Sequence, residues 1–456
     1  MRFCDVFSKD AYDGLEITMS TTTTPSFLDE LAWRGMLHQT TAERELKDHL
    51  ATPGRVGYCG FDPTSNSLTI GNFIAIKLLM HWQRAGHKPI VLMGGGTGLI
   101  GDPSGKDEER QLQTPEQVEA NVNAQRRIFE RLLDFDPANP NAAVIVNNYD
   151  WLKHVGYIQM LRDVGKHFSV NAMMQRDSVK RRLEDREHGI SYTEFSYMIL
   201  QAYDFLHLHR EMNCTAQIAG SDQFGNIVSG IDLIRRQRHE TDSSPHPAFG
   251  ITAPLVTTSD GKKIGKTEKG AIWLTADRTS PYAFYQFWIN VADNDVINYL
   301  KWFTLLTQEE VASLATQHEQ APHERHAQRA LARSMTALLH GDDQLHHVEA
   351  ATQALFSGDV QQLDETMLAE VFADVPSSTH DKSLLAGEGT PLIDILADTS
   401  LATSKRQARE FLGSGAVAIN GQRVEADRQL TTADLLHGHT ILIKRGKKNW
   451  HATRWG

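Results

Sequence analysis

The sequence predicts an α/β protein: a parallel-sheet domain comes first, an all-helical domain follows, and a small α+β domain ends the chain. Three patterns carry that reading. Between Val56 and Lys106 strand-like and helix-like segments alternate, with glycine-rich turns at the strand ends, the pattern of a right-handed βαβ crossover. From Ser280 to Phe356 the apolar residues recur at helical spacing with no strand signal. Beyond Ser400 the charge changes sign. Ten basic residues stand there against four acidic ones, an excess of six positive charges, in a chain whose formal charge is -11.

The elements follow in order. Residues 1–26 hold no apolar core long enough for a signal or membrane segment, and Thr21 to Thr24 is a polar run expected to be disordered. They are read as an N-terminal extension, with Met19 a candidate start. Residues 27–37 and 43–50 are helical and feed a strand over 56–61. A turn over 62–66 leads to a helix over 73–84, closed by Gly86 in the left-handed cap. The next strand, 89–93, breaks into Gly94–Gly98 and Gly101–Lys106.

Thr114 before Pro115 marks a helix start, and 142–146 is a third buried strand. A helix through 195–204 puts Tyr197, Gln201 and Asp204 at i, i+4 and i+7, on one face. A strand at 216 runs into a loop ending at Asn226, 227–238 is a helix, 252–256 a last strand, and 259–267 a mobile lysine-bearing loop. Residues 361–389 read as a poorly patterned linker. Residues 404–412 form a helix with Lys405, Arg406 and Arg409 along one side, and 415–421 a short hairpin. The expected domains are 27–275, 276–360 and 390–456.

Ligands in such sheets sit beyond the carboxyl ends of the strands, where both glycine-rich turns fall. Gly71 lets an anion approach the backbone, and the helix behind it offers unpaired N–H groups and a positive dipole end. Neither glycine run has the Walker pattern or the dinucleotide spacing, so each alone also fits an ordinary turn. Lys106 and Arg110 can hold phosphate oxygens or pair with Asp107 and Glu108. The 259–267 loop is a cationic arm for a polyphosphate or a solvated charged loop. Tyr197, Gln201 and Asp204 are a pocket wall or an exposed polar stripe.

Composition excludes other classes. The negative charge opposes blanket adhesion to nucleic acid, leaving local basic patches for any RNA contact. Three cysteines far apart make no disulfide framework, which fits a reducing cytosol. Twenty-one histidines form no metal-ligand spacing.

Residues 58–64 (Tyr-Cys-Gly-Phe-Asp-Pro-Thr), 69–72 (Thr-Ile-Gly-Asn), 97–106 and 263–267 (Lys-Ile-Gly-Lys-Thr) resemble, in this order, the signatures of bacterial-type tyrosyl-tRNA synthetases. The resemblance runs from Phe27 to the C-terminus. It implies a Rossmann-like catalytic domain, a helical anticodon-binding domain and a ribosomal-protein-like RNA-binding domain, in a cytoplasmic homodimer. The implied activity is tyrosine–tRNA ligase: L-tyrosine and ATP, with Mg²⁺, give tyrosyl-adenylate and pyrophosphate, and tRNA(Tyr) takes the tyrosine at its 3' end. No prosthetic group or structural metal is implied.

The same resemblance assigns residues. Tyr58 and Asp204 bracket the substrate phenol, Asp102, Tyr197 and Gln201 receive its ammonium group, and Gln223 lies near its carboxyl end. Gly60, Asp62, Gly71, Asn72, Asp222, Lys263 and Lys266 serve ATP. Thr64, Thr69, Asn72, Lys106, Arg110, Lys263, Lys266 and Thr267 serve catalysis, and Lys405, Arg406 and Arg409 meet RNA. A pocket that rewards the hydroxyl rejects phenylalanine because its own polar groups are then unpaired, a rule for which tyrosine-specific synthetases are the standing example.

One departure stands out: the family's His-x-Gly-His has Thr69 and Asn72 in place of both imidazoles. Asn72 still donates from roughly where one imidazole nitrogen would lie, whereas Thr69 is shorter. The alternative this leaves is a catalytically weakened paralogue acting as an RNA-binding protein. A tryptophan-specific relative is opposed by Tyr58 together with Asp204.

Overall fold

A computed structural model describes residues 26–103, 112–184, 189–237, 247–259, 261, 264–267, 270–373, 375–446 and 449–456. The expected extension, Met19 included, lies outside them. The chain opens with α1 (Phe27–Arg34), β1 (Gln39–Thr40), α2 (Glu43–Leu50), β2 (Val56–Phe61), α3 (Ile70–Arg84), β3 (Lys88–Met93), α4 (Pro115–Leu132) and β4 (Val144–Asn147). Ser26 and Thr114 cap α1 and α4 by accepting from the backbone N–H three residues on. Helix α3 starts three residues earlier than apolar spacing indicates because its first turn is capped. Asn72 Oδ1 accepts from the Thr69 N–H at 3.0 Å and from the Thr69 hydroxyl at 2.8 Å.

Four short helices follow, α5 (Tyr149–Leu152), α6 (Tyr157–Gln159), α7 (Val170–Met174) and α8 (Asp177–Glu184). Then come α9 (Tyr192–Met212), β5 (Cys214–Gly220), α10 (Phe224–Arg236) and β6 (Phe249–Ala253). The sheet order is β1-β6-β5-β2-β3-β4. All neighbours are parallel except β1, which runs antiparallel to β6. After β4 the chain crosses back to lay β5 on the far side of β2, so the strand order reverses between β2 and β5. Helices cover both faces, which is why the inner strands read as apolar runs. Ile76, Trp82 and Phe129 fill one face; Phe205, Leu208 and Leu233 fill the other.

A two-residue hairpin, β7 (Lys266–Thr267) with β8 (Gly270–Ala271), precedes five helices: α11 (Pro281–Ile289), α12 (Asp293–Phe303), α13 (Gln308–Gln320), α14 (His326–His340) and α15 (Asp342–Ser357). No strand lies among them, as the periodicity predicts. Trp288, Phe303, Leu331 and Met335 form their core, continuous with α3, and Phe73 stacks on Phe303 at 6.2 Å.

The last part comprises α16 (Glu365–Val371), β9 (Ser377–His380), β10 (Thr390–Pro391), α17 (Leu392–Ala397), α18 (Lys405–Gly413), β11 (Val417–Ile419), β12 (Gln422–Arg423), β13 (Gln429–Leu430), β14 (Thr440–Arg445) and β15 (Asn449–Trp455). The expected hairpin turns at Asn420-Gly421, both with positive φ (47° and 86°), the backbone that Asn-Gly favours between two strands. The five-stranded sheet runs β12-β11-β14-β15-β9. Ile441, Ile443 and Trp455 pack on α17 and α18, and Leu442 and Ala452 pack on Val360 and Phe372. The linker reading of 361–389 is corrected here. Those residues contain α16 and β9, and the polar Ser-Ser-Thr-His strand forms because the edge of β15 pairs with it in parallel, a tertiary cause with no local pattern.

One buried cation opposes the fold. Lys77 on α3 is fully buried, and its amine has no hydrogen-bond partner among the described residues. Burial, then Arg34 and Arg84, hold its pKa well below the usual lysine value. A lysine whose folded pKa is lowered costs the fold stability below its ordinary value, a deficit present at neutral pH that fades as pH rises toward 10.5. Lys77→Met is expected to stabilise by about 1–3 kcal/mol at pH 7, read as a higher urea midpoint, with the gain shrinking at pH 10.

Candidate active site

The carboxyl ends of β2, β3, β4 and β5 deliver polar residues to the point where the strand order reverses. Asp62 follows β2, Thr97 and Asp102 follow β3, Asn148 follows β4, and Asp222 and Gln223 follow β5. Helix α9 turns Tyr197 and Asp204 inward, both buried, with Gln201 half-buried between them. Gly94 is required there: a Cβ would lie 2.2 Å from Asp62 Oδ1 and 2.7 Å from Thr97 Oγ1, the two atoms that hydrogen-bond at 2.8 Å.

At the deep end, Asp204 accepts from Asn148 Nδ2 and Trp151 Nε1, both at 2.8 Å. Asn148 is itself fixed, since its Oδ1 accepts from the Gly96 N–H at 2.7 Å. Burial pushes the Asp204 carboxyl up to about 7; the bonds from Asn148 and Trp151 oppose that, and the charge of Asp62 adds to it. Tyr58 on β2 is 1% exposed, and its hydroxyl has no hydrogen-bond partner among the described residues. Burial and then the charge of Asp204 raise its pKa well above the usual phenol value. Gln217 on β5 stands opposite Tyr58 in register, with its buried Oε1 likewise unpaired.

At the shallower end, Tyr197 donates to Asp62 at 2.9 Å. Gln223 donates to Asp102 at 2.8 Å, and Gln201 donates to Gln223 at 3.1 Å. Asn226 donates to both glutamines at 2.9 and 3.1 Å. Around this network Gly60, Thr64, Gly71, Asn72 and Asp222 are exposed, with Gly71 and Asn72 in the first turn of α3.

The lysine loop reaches the same place. Ile70 N–H donates to Ile272 O at 3.1 Å, Ile272 N–H to Gly265 O at 2.8 Å, and Leu274 N–H to Leu68 O at 2.8 Å. The root of the expected mobile loop is thus tied to the start of α3, and Lys266 and Thr267 form β7. Lys106, Arg110 and Lys263 lie outside the described residues. Lys405, Arg406 and Arg409 sit elsewhere, exposed on α18, with Lys405 paired to Asp394 at 2.7 Å. Thr97, Asn148, Trp151, Gln217 and Asn226 were not among the residues the sequence singled out. The one available signal was Asn147-Asn148 directly behind a predicted strand.

A buried acid and an unpaired phenol stand at the switch point of a doubly wound sheet with an exposed helix start beside them, the place where open α/β sheets bind their ligands. Comparison with known proteins agrees. Residues 54–357 match the model for tRNA synthetases class I (W and Y), and residues 367–453 match the tyrosine–tRNA ligase SYY-like C-terminal domain. The chain belongs to the class I synthetases of this W and Y family, and its C-terminal match is to the tyrosine branch.

Two solved structures bear this out. The C-terminally truncated mitochondrial tyrosyl-tRNA synthetase of Aspergillus nidulans is 30% identical, with a TM-score of 0.65, covering 73% of this chain and 95% of that one. The Coccidioides posadasii counterpart is 32% identical, with a TM-score of 0.63, covering 72% and 92%. A tyrosyl-tRNA synthetase from Archaeoglobus fulgidus, complexed with L-tyrosine, shares the fold at 16% identity and a TM-score of 0.52, covering 70% and 99%. Since the two nearer in sequence are fungal mitochondrial enzymes, the narrower bacterial-type qualifier does not follow from them.

Proposed function

We infer that this chain is a tyrosine–tRNA ligase that makes tyrosyl-adenylate from L-tyrosine and ATP and passes the tyrosyl group to tRNA(Tyr). The observation that carries the tyrosine specificity is the pairing of a partnerless buried Tyr58 hydroxyl with Asp204 at the bottom of the pocket. A substrate phenol donates to Asp204 and accepts from Tyr58, and phenylalanine does neither. Asp204 already accepts two bonds, but a carboxylate has room for more. The ammonium group meets Asp102 and Gln201, both held by the Gln223–Asn226 network, and the Tyr197 oxygen, held by its bond to Asp62, and Asp222 serves the ribose.

The tyrosine carboxylate attacks the α-phosphorus, and pyrophosphate leaves. No side-chain nucleophile is needed, so catalysis is positioning and charge stabilisation. Thr64, Gly71 and Asn72 with the α3 dipole face the phosphates, joined by Lys106, Arg110, Lys263, Lys266 and Thr267, while Gly60 and Asp62 line the rest of the ATP site. Among the described residues no group of acids, histidines or cysteines is arranged to hold a metal. Mg²⁺ would accompany ATP, as such ions usually do with nucleotide phosphates.

Thr69 and Asn72 act first as a cap, and the Asn72 Nδ2 donor is left for the nucleotide. Asn72→Asp keeps the accepting oxygen and removes the donor. Tyrosine-dependent ATP–pyrophosphate exchange is expected to fall about 10- to 100-fold, with the tyrosine Kd unchanged. A wild-type chain without exchange above background would overturn the ligase reading and favour the non-catalytic RNA-binding one.

A homodimer is the assembly the family implies, and Tyr157 and Tyr192, both more than half exposed and meeting at 3.4 Å, form an exposed aromatic pair compatible with a second copy. Among the described residues no helix is long and apolar enough to cross a membrane. The proposed compartment is the cytoplasm, on the strength of the widely separated cysteines, two of which are free and buried. The helices α11–α15 and the exposed Lys405, Arg406 and Arg409 are the proposed tRNA contacts, and 27–275, 276–360 and 390–456 remain the proposed domains, with α16 and β9 joining the last.

A further inference from the structure

The turn that follows β2 is held from one side by a row of amides. The carbonyls of Pro63, Thr64 and Ser65 each accept a side-chain hydrogen bond. Asn121 Nδ2 donates to Pro63 O at 2.9 Å, Gln113 Nε2 to Thr64 O at 3.1 Å and Gln125 Nε2 to Ser65 O at 2.8 Å. Asn121 and Gln125 lie one turn apart on α4, and Gln113 just precedes that helix. Inside the turn, the Thr64 N–H donates to Asp62 O at 2.9 Å. Beyond it, Arg278, stacked on Trp273 at 4.0 Å, donates to Asn66 Oδ1 at 2.6 Å.

Nothing in the packing of α4 calls for these amides. The helix buries Val118, Val122, Ile128, Phe129 and Leu132, and an apolar residue at 121 or 125 would continue that core. Both amides are nevertheless buried, at 2% and 0% exposed. Asn121 Oδ1 accepts from Gln117 at 3.3 Å, whereas Gln125 Oε1 has no hydrogen-bond partner among the described residues. A buried oxygen left unpaired opposes folding, and what the Gln125 amide supplies in return is the bond to Ser65. Such departures from apolar packing fall at functional positions.

We propose that Asn121, Gln125 and Gln113 are positioning residues for adenylation: by taking the three carbonyls of the turn they keep the exposed Thr64 set toward the phosphates of ATP. Three consecutive carbonyl dipoles committed to α4 and its approach cannot swing toward a polyphosphate, whose charge they would repel. The turn is then in its working shape before the nucleotide arrives. The proposal rests on the ligase reading, which puts Thr64 at the phosphates, and extends it to residues behind the turn that the reading does not use.

The test uses the full chain, with tyrosine-dependent ATP–pyrophosphate exchange, tyrosine Kd and urea midpoint read for each variant. Gln125→Met and Asn121→Leu are each expected to lower kcat/KM for ATP about tenfold, with the tyrosine Kd unchanged. A purely structural role would lower the urea midpoint and leave kcat/KM for ATP, measured well below that midpoint, at the wild-type value. Adding Gln125→Met to Thr64→Ala is expected to cost less than about twofold further, because the amide acts through the turn that carries Thr64. Gln113→Ala, at a half-buried position outside the helix, is expected to cost about threefold and decides the matter should the α4 variants unfold. Wild-type kcat/KM for ATP in Gln113→Ala and in whichever α4 variant folds overturns the proposal. So does a full added loss in the double variant, or a tyrosine Kd that rises in step with the loss for ATP. Absent exchange in the wild type overturns the ligase reading instead, before any variant is compared.

Discussion

Asp204→Asn is expected to lower kcat/KM for tyrosine in pyrophosphate exchange by about 10²- to 10³-fold, while phenylalanine, which offers no hydroxyl, loses far less. The reason is the fixed donors around the carboxylate. Asn148 and Trp151 both point N–H groups at it, and Asn148 cannot turn over because its oxygen is taken by the Gly96 N–H. An amide at 204 must aim its NH₂ at one of those donors or at the substrate. A lost bond to a charged acceptor together with a buried donor left unpaired costs about 3–4 kcal/mol. The check is the ratio of the two amino acids' kcat/KM, which should narrow in the variant.

The pH profile offers a second signature of the same residue. With the carboxyl raised to about 7 by burial, the enzyme without substrate carries it protonated below that pH and charged above. The phenol needs an acceptor, so kcat/KM for tyrosine falls as pH drops through about 7, and the limb disappears in Asp204→Asn. The stability sign runs the other way. A raised carboxyl favours the fold below the unfolded value of 3.8 and loses that contribution as pH rises toward 7, so the charged pocket is held at the expense of the unliganded fold.

Local chemistry explains which parts were legible. The β2–α3–β3 unit declares itself because its strands are buried on both faces and its turns are glycine, and the i, i+4, i+7 spacing alone put Tyr197, Gln201 and Asp204 on one face. Asn148 and Trp151 were hard to read because each acts on Asp204, far away in sequence, and an asparagine in a turn is ordinary. The reversal at β5 and the parallel docking of β9 on β15 were equally hidden, since neither leaves a period in its own residues. Thr69 and Asn72 look like losses beside the family's two histidines, yet the structure gives them work as a helix cap.

The second large effect concerns how α9 is held. Arg182 and Glu194 are 2% and 1% exposed and form a two-pronged ion pair at 3.3 and 2.9 Å, with the Arg182 Nε–H donating to Gly189 O at 2.9 Å. Glu194 lies in the first turn of α9, three residues before Tyr197, so the pair sets where the substrate-facing side of that helix begins. Removing one charge leaves the other buried and uncompensated, which costs about 3–5 kcal/mol, whereas replacing both with apolar residues is often neutral. Glu194→Ala is therefore expected to lower the urea midpoint sharply and to raise the tyrosine Kd. Arg182→Met combined with Glu194→Leu should restore the midpoint to within about 1–2 kcal/mol. If the double variant recovers stability without recovering tyrosine affinity, the ion pair is aligning α9 for its substrate; if both recover together, apolar packing at the same spot aligns it equally well.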